Sequence, residues 1–434
     1  MTANPVSLSA YGRLIRTNRN FRLLWLAQII SELGDWLYSV AVYSLLFEYT
    51  GSAKSVATAF VLQVLPQFFI APAAGVINDR LSRKKVMIFA DCFRAVIVLG
   101  MLLVRGPEMI WFLYILLLLE TCMWALFEPG RNAVIPNITT GKEVIVANAL
   151  SSMTWSFNLA IGAALGGAIA ALFGRTTVFL VNGLTFVVSA LVLRRMEFSE
   201  PHLAMLPPLR MRDLADFTPI LDGIRYVKHD ARLLATMFVK CGLGLMGSHW
   251  VILPVLGERV FPIHMEGLDP QRGGMLGMSL LMASRGVGAL LGPIVGGYWS
   301  GRVESRLRLG ILLGFLTGSL GYLLLSAAGS LWTACATVVL AYAGGSIIWV
   351  FSTTLLQLQT ADRFRGRVFS AEFAFGMLAM STVSYTSGVL IDVGLTPQEL
   401  AAYTGLIVLI PAAAWAFALR LWKRPRPVPN HQDI

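Results

Sequence analysis

Long apolar stretches separated by short polar connectors fill almost the whole chain. Spanning a bilayer takes about 20 apolar residues in a helix. About twelve stretches of roughly that length or somewhat more can be placed, starting near Phe21, Lys54, Lys85, Glu108, Val144, Thr176, Asp230, Gly273, Arg306, Leu331, Gly366 and Glu399. The longest polar interruption runs from Glu197 to about His229, contains Pro201, Pro207, Pro208 and Pro219, and divides the stretches six and six. Inside it Phe217, Leu221, Ile224 and Val227 recur at helical spacing. This predicts a short amphipathic helix, lying on the membrane surface or packed on the protein. The pattern predicts an all-α polytopic membrane protein of twelve transmembrane helices in two six-helix bundles. The divisions are residues 1–196, a central loop over 197–229, and residues 230–434.

Two weak internal matches suggest that the halves are duplicated. Pro72-x-x-Gly75 falls on Pro293-x-x-Gly296, and Gly141 to Val146 fall on Arg363 to Val368 at nearly the same offset. Parallel repeats of this kind characterise one large class of secondary transporters.

Polar residues within a span are costly, about 2.5 kcal/mol or more for a charge at mid-depth, so their positions map an aqueous interior. In span 1, Gln28, Glu32, Asp35 and Ser39 share one helical face. Span 4 carries Glu120, Trp124 and Glu128, and span 5 carries Asn148, Ser152, Trp155 and Asn158. Span 7 has Lys240, Ser248 and His249, span 8 has Arg285, and spans 10 and 11 add Thr353, Gln357 and Glu372. Spans 6, 9 and 12 are nearly all apolar. A central polar cavity between the halves is expected, with every third helix facing lipid.

Composition then decides topology rather than chemistry. The net charge of +11 would suit nucleic acid, but 27 of the 35 Lys and Arg fall in connectors on one side and in the termini, five on the other side, and three inside spans. That bias predicts both termini and the central loop in the cytoplasm, and no nucleic-acid partner is expected. Arg131 and Lys142 are counted here with the connector between spans 4 and 5. The four cysteines lie one per span, so neither a disulfide framework nor a metal site is indicated, and no cofactor is expected.

The connector between spans 2 and 3 reads Gly75-x-x-x-Asp79-Arg80-x-Ser82-Arg83-Lys84. It resembles the signature of the major facilitator superfamily, with Ser82 where glycine is usual. Asn20-Phe21-Arg22-Leu23-Leu24-Trp25, Gly34-Asp35, Asn148-Ala149-Leu150 and Arg365-Gly366-Arg367-Val368 are similar to the branch that holds macrolide-efflux proteins and the enterobactin exporter. The resemblance covers nearly the whole chain. It implies a conformational latch in which Asp79 meets the N-terminus of span 11, flanked by Arg365 and Arg367, when the cytoplasmic side is closed. Gly75 would allow close approach, and Arg80, Arg83 and Lys84 would hold the loop. A second exporter signature is partial: Gly162-Ala163-x-x-Gly166-Gly167 in span 5 has alanine in place of proline. Gly292-Pro293-x-x-Gly296-Gly297 in span 8 carries the full pattern at another place; the span-5 match supports export, with plain helix packing as the alternative.

Candidate proton carriers are Asp35 first, then Glu32 and Glu120, with Gln28 on their face. Arg285 and Lys240 are candidates to neutralise these acids or to bind an anionic substrate, and Asp91 with Arg94 form an i, i+3 pair. The expected function is export of a bulky amphipathic compound (a drug, macrolide or siderophore) in exchange for protons, by a monomer in a bacterial inner membrane. Its partners would be that substrate, protons and membrane lipids. A lysolipid translocator of the same superfamily is the alternative. A membrane-embedded enzyme or sensor is disfavoured, because no nucleophile–base or HExxH set is present. If the charge bias sets topology, a cysteine engineered at Arg210 will react with an impermeant maleimide only after permeabilisation. Labelling from outside intact cells would overturn the assignment.

Overall fold

The computed structural model describes residues 8–141, 143–200, 218–228, 230–266, 269–301, 303–361 and 364–423. Lys142, Phe217, Arg363 and the proline-rich part of the central loop lie outside them. The described residues form fourteen helices and no strand. These are α1 (Leu8–Thr17), α2 (Arg19–Thr50), α3 (Ala53–Arg80), α4 (Arg83–Gly100), α5 (Ile110–Ile138), α6 (Glu143–Phe173), α7 (Arg175–Arg194) and α8 (Thr218–Val227). They continue with α9 (Ala231–Val260), α10 (Pro270–Ser300), α11 (Glu304–Ser326), α12 (Leu331–Gln359), α13 (Arg365–Asp392) and α14 (Pro397–Ala418).

Among the described residues eleven helices are long and apolar enough to cross a membrane. The protein is a multi-pass integral membrane protein. The remaining expected span, α2, has 32 residues and therefore sufficient length, about 48 Å at 1.5 Å per residue. Its composition falls short because Gln28, Glu32, Asp35 and Glu48 interrupt the apolar run. Asn18 caps its first turn, accepting from Phe21 N at 2.9 Å, and donates to the Ile138 carbonyl at 2.6 Å. Asn20 exchanges two hydrogen bonds with the Glu197 backbone. These two asparagines fix where α2 enters and tie it to the ends of α5 and α7.

Within the first six long helices α2 packs on α6 and α7, α4 on α5 and α7, and α3 on α5. Among the last six, α12 packs on α10 and α11, α11 on α14, and α13 on α9. Contact between the two sets runs mainly through α3 with α13 and α6 with α10. The glycines of the α6 motif serve this packing. A methyl at Gly166 would collide with the Leu37 backbone of α2, and one at Gly167 with Ser279 of α10. Gly292 fits against the Ala343 carbonyl of α12 in the same way. The positions matched as repeats both open helices, α6 at Glu143 and α13 at Arg365.

The amphipathic helix expected in the central loop is α8, and it rests on the protein. Val227 is fully buried with Leu233, Met237, Leu356, Val368 and Ala371. Tyr226 stacks on Phe364 at 4.3 Å, and Gly223 lies against the Arg367 backbone. Leu221 stays exposed.

Helix α9 is irregular. A 3-10 turn spans Leu245–Ser248 and a π turn spans Leu256–Val260. Carbonyls freed at the break find side-chain donors: Met246 O accepts from Tyr322 Oη at 3.0 Å and meets His249 Nδ1 at 2.5 Å, and Gly247 O accepts from Ser384 Oγ at 2.7 Å. Irregular backbone at membrane depth persists when its polar groups are satisfied inside the protein. The break turns His249 and Trp250 towards α10 and α12.

Candidate transport site and its gates

Two arginines organise the buried charges of the first half. Arg94 of α4, 1% exposed, donates to Glu120 of α5 through Nε at 3.0 Å and Nη2 at 2.8 Å. It also donates to Asp35 of α2 through Nη2, and to Ser31 Oγ at 3.2 Å. The ring of Phe186 on α7 lies 4.1 Å from its guanidinium carbon. Asp91, one turn back on α4, is 3.6 Å away, beyond hydrogen-bond length, so the expected pair within the helix is a minor partner. A chain of hydrogen bonds continues outward: Tyr38 Oη donates to Glu120, Gln63 Nε2 to Tyr38 Oη, and Tyr43 Oη to Gln63.

Arg131 of α5 is the second centre. It donates to Glu32 at 2.5 Å and pairs with Glu128. Glu32 also accepts from Gln28 at 2.9 Å and from Asn158 of α6 at 3.2 Å. Arg131 is buried inside α5, which corrects its assignment to a connector and removes it from the topological count. Its i, i+3 spacing from Glu128 was the available signal.

In the second half Lys240 of α9 donates to Glu372 of α13 at 2.8 Å and lies 4.2 Å over the Trp349 ring. The structure therefore does not bring Lys240 to Asp35, Glu32 or Glu120. Arg285 does not reach them either, and its guanidinium sits among Trp250, Trp36 and Tyr342.

Of the three candidate carriers Asp35 is the most accessible, its side chain 18% exposed against 10% for Glu32 and 6% for Glu120. Asn148, Ser152 and Trp155 form one exposed face of α6, and on α12 Gln357 is exposed and Thr353 half-buried. Polar side chains exposed at membrane depth require water or a polar ligand in front of them. Two crevices of about 240 and 420 Å³ lie at the end of the bundle away from Asp79, lined by Arg175 and Asp269 and by Glu258 and His264. Neither includes the buried charges above.

The halves are fastened at that same end. Asp392, the last residue of α13, accepts from Ala53 N at 2.7 Å and Lys54 N at 3.1 Å, and from Ser52 Oγ. Its carboxylate thus closes the N-terminus of α3, where unsatisfied N–H groups and the helix dipole favour an anion. Gly388 packs on Lys54 and Ala57 beside it. At the other end Gly75, Gly297 and Gly366 have open space where a side chain would go. Asp79 is 64% exposed and 3.6 Å from Arg83, so it does not meet α13 in this conformation. Arg367 instead faces Asp222 of α8 at 3.4 Å. Ser82, Arg83 and Lys84 of the motif are bound by the first half and the start of the central loop. Arg83 donates to Ala133 O and Lys84 to Met196 O, and Ser82 caps α4 while donating to Glu200. The Ser82 hydroxyl supplies a cap that glycine cannot.

A family model described as transmembrane secretion effector, a branch of the major facilitator superfamily, matches residues 12–431. The chain belongs to that family. Among curated relatives of this secretion-effector transporter, the uncharacterised MFS-type transporter YfiS of Bacillus subtilis is 29% identical over 52% of this chain and 54% of its own length. A putative bacilysin exporter, BacE of Bacillus amyloliquefaciens, is 26% identical over 64% and 66%. Macrolide efflux protein A of Streptococcus pyogenes is 23% identical over 83% and 86%. The chain thus spans about half the length of the first of these. Among solved structures, the nucleoside transporter NupG superposes with a TM-score of 0.71 at 13% identity, covering 92% of this chain and 100% of that one. A bacterial homologue of the lysosomal transporter Spinster gives 0.68 at 15%, covering 94% and 98%. These establish the major facilitator fold, and members of the family are transporters, not enzymes.

Replacing Arg94 by Met leaves Asp35, Glu120 and Asp91 buried without their cation. Breaking a buried charge pair this way costs about 3–5 kcal/mol. A large fall in the melting temperature of the purified variant is expected, with Arg94→Lys intermediate. A wild-type melting temperature for Arg94→Met would show that the network does not hold the first half together.

Proposed function

We propose that the protein exports an amphipathic small molecule in exchange for protons, by alternating access between two halves. The observation that carries this reading is the grouping of three carboxyls around one guanidinium. Arg94 can neutralise one of Asp35, Glu120 and Asp91, and the surplus negative charge is what a proton can satisfy. Asp35 is the accessible member and therefore the coupling residue. Protonating it weakens its bond to Arg94 and loosens α2 from α4. The efflux and exporter names of the relatives fit the direction of transport. One elementary charge crossing the membrane yields about 2.3 kcal/mol per 100 mV, and each pH unit adds about 1.4 kcal/mol. One or two protons therefore suffice for tenfold to hundredfold accumulation.

The gates follow from the antiparallel run of α3 and α13. Each presents its N-terminus to the other's C-terminal end. Asp392 closes one end by capping α3. In the opposite state Asp79 would close the other end against the N-terminus of α13, displacing the contact of Arg367 with Asp222. With the end that carries Arg80 to Lys85 taken as cytoplasmic, the conformation described here is open to the cytoplasm.

The coupling is tested in proteoliposomes with a panel of macrolides, bacilysin, siderophores and lysolipids. Asp35→Asn should retain substrate counterflow and lose accumulation driven by an imposed pH gradient. Wild-type transport indifferent to the gradient, with lysolipids as the compounds moved, would replace this reading with lipid translocation.

The gates are tested by maleimide accessibility of a cysteine at Ser152 in a cysteine-free background. Asp79→Asn should raise labelling from the cytoplasmic side and Asp392→Asn should lower it. Each change should be about two- to fivefold, the population shift set by one charge–dipole contact of about 0.3–1 kcal/mol. Shifts in the same direction, or none, would refute the paired latches.

A further inference from the structure

Arg94, Arg131 and Lys240 each meet a carboxylate within the spans. Arg285 differs. It is 2% exposed, and no hydrogen bond or ion pair joins it to any described residue, its Nε being buried without a partner. Aromatic rings surround it instead: its guanidinium carbon is 3.7 Å from the centroid of Trp250, 5.3 Å from Trp36 and 5.4 Å from Tyr342.

Two of those rings carry orphaned polar atoms of their own. Trp250 Nε1 and Tyr342 Oη are buried with no hydrogen-bond partner. Indole and guanidinium groups donate and do not accept, so the cluster gathers donors around a cation and holds no anionic acceptor, the Tyr342 hydroxyl and the His249 ring being neutral acceptors at most. His249, whose ring lies 5.1 Å from Trp250 and 4.9 Å from Tyr342, has its Nδ1 engaged with Met246 O. Leaving buried donors unsatisfied costs about 1–3 kcal/mol each, and more for a charged group. An anion would supply the acceptor that each of these three donors lacks. An aromatic wall extends from this point across both halves: Trp250 stacks on Phe60 at 4.3 Å and on Trp36 at 6.4 Å, and Trp36 meets Trp155 edge-on at 5.8 Å. Trp155 is 43% exposed, on the polar face of α6.

We propose that Arg285, Trp250 and Tyr342 form the head-group subsite of the transport cavity, binding the carboxylate or phosphate of an amphipathic substrate whose apolar body lies along Trp36 and Trp155. The proposal rests on reading the protein as a transporter of amphipathic compounds and adds the charge of the compound. A cationic head group finds no carboxylate beside Arg285, because the acids of the first half gather around Arg94 and Arg131, and Glu372 faces Lys240.

The test is equilibrium binding to the full-length protein in nanodiscs, with no gradient. Radiolabelled N-dodecanoylglycine is the probe, and N-dodecanoylglycinamide, dodecyl phosphate and dodecylammonium are competitors. Wild type should bind the carboxylate at least tenfold more tightly than the neutral amide. Competition by dodecyl phosphate stronger than by unlabelled acid would assign the site to phosphate head groups, and weaker competition to carboxylates. Arg285→Gln should bring acid and amide within twofold of each other. Tyr342→Phe should weaken the acid several-fold and leave the amide unchanged. Arg285→Lys should retain part of the preference, so a glutamine variant that fails to fold does not decide the matter. Equal binding of acid and amide by wild type, or full discrimination retained in Tyr342→Phe and Arg285→Gln, would overturn the proposal. Loss of gradient coupling leaves this result unaffected, and equal binding of acid and amide leaves proton coupling standing.

Discussion

The first half of this protein depends on one guanidinium placed where no water can serve it. Arg94 costs several kcal/mol to bury, and what compensates is geometry. Asp35, Glu120 and Ser31 reach it from α2 and α5, and Phe186 of α7 covers its face. Four helices are thereby held in one register by a single side chain. Lipid tails are as apolar as leucine, so helices in a membrane gain little from hydrophobic association and rely on close packing and buried polar contacts. Arg94 supplies the polar contact. The glycines of α6 supply the packing, letting α2 and α10 approach closely enough for Trp36 and Ser279 to sit against its backbone.

The second half is built differently. Among its described residues the ion pair buried within the spans, Lys240 with Glu372, ties α9 to α13, and small residues and a helix break add to its cohesion. Gly244 and Gly247 bring α9 against Ala379 and Met380 of α13, while the 3-10 turn releases carbonyls that Tyr322, His249 and Ser384 take up. The break aims two aromatic groups into the interface. The halves share an architecture while carrying different chemistry, a proton-sized charge cluster on one side and an acceptor-poor cationic cluster on the other.

Much of this was legible in the sequence, because helix length, apolar runs and connector charge are local properties. The major facilitator signature was readable at Gly75 to Lys84 for the same reason. The stripe of Gln28, Glu32, Asp35 and Ser39 was visible as one face of α2. Which cation each acid meets was not, since Arg94 and Arg131 lie on other helices and i, i+4 arithmetic does not cross between them. Arg131 was misplaced because it follows Pro129 and Gly130, residues that read as a helix end, yet α5 continues to Ile138. Asp392 was passed over for a related reason. It stands at the tip of α13 and acquires a partner only when α13 runs antiparallel to α3. Single aromatic residues such as Trp250 and Tyr342 carry no sequence signal that distinguishes a lipid anchor from the wall of a subsite.

The two proposed centres meet on consecutive residues of α2. Asp35 faces Arg94 on one side of the helix, while Trp36 stacks on Trp250 and lies 5.3 Å from Arg285 on another. A change in the Asp35–Arg94 bond cannot move Asp35 without moving Trp36, because both ride on the same turn of a rigid helix. Occupation of the cationic cluster likewise fixes Trp36 and, through it, the position of the carboxyl. Any ligand effect on a two-state protein must come from unequal binding to the two states, and binding linkage is reciprocal. On the two proposals above, a proton on Asp35 and an anion at Arg285 would influence each other through one short segment of α2. No longer pathway is required, and a neutral residue at either position would uncouple the proton from the anion while leaving substrate counterflow possible.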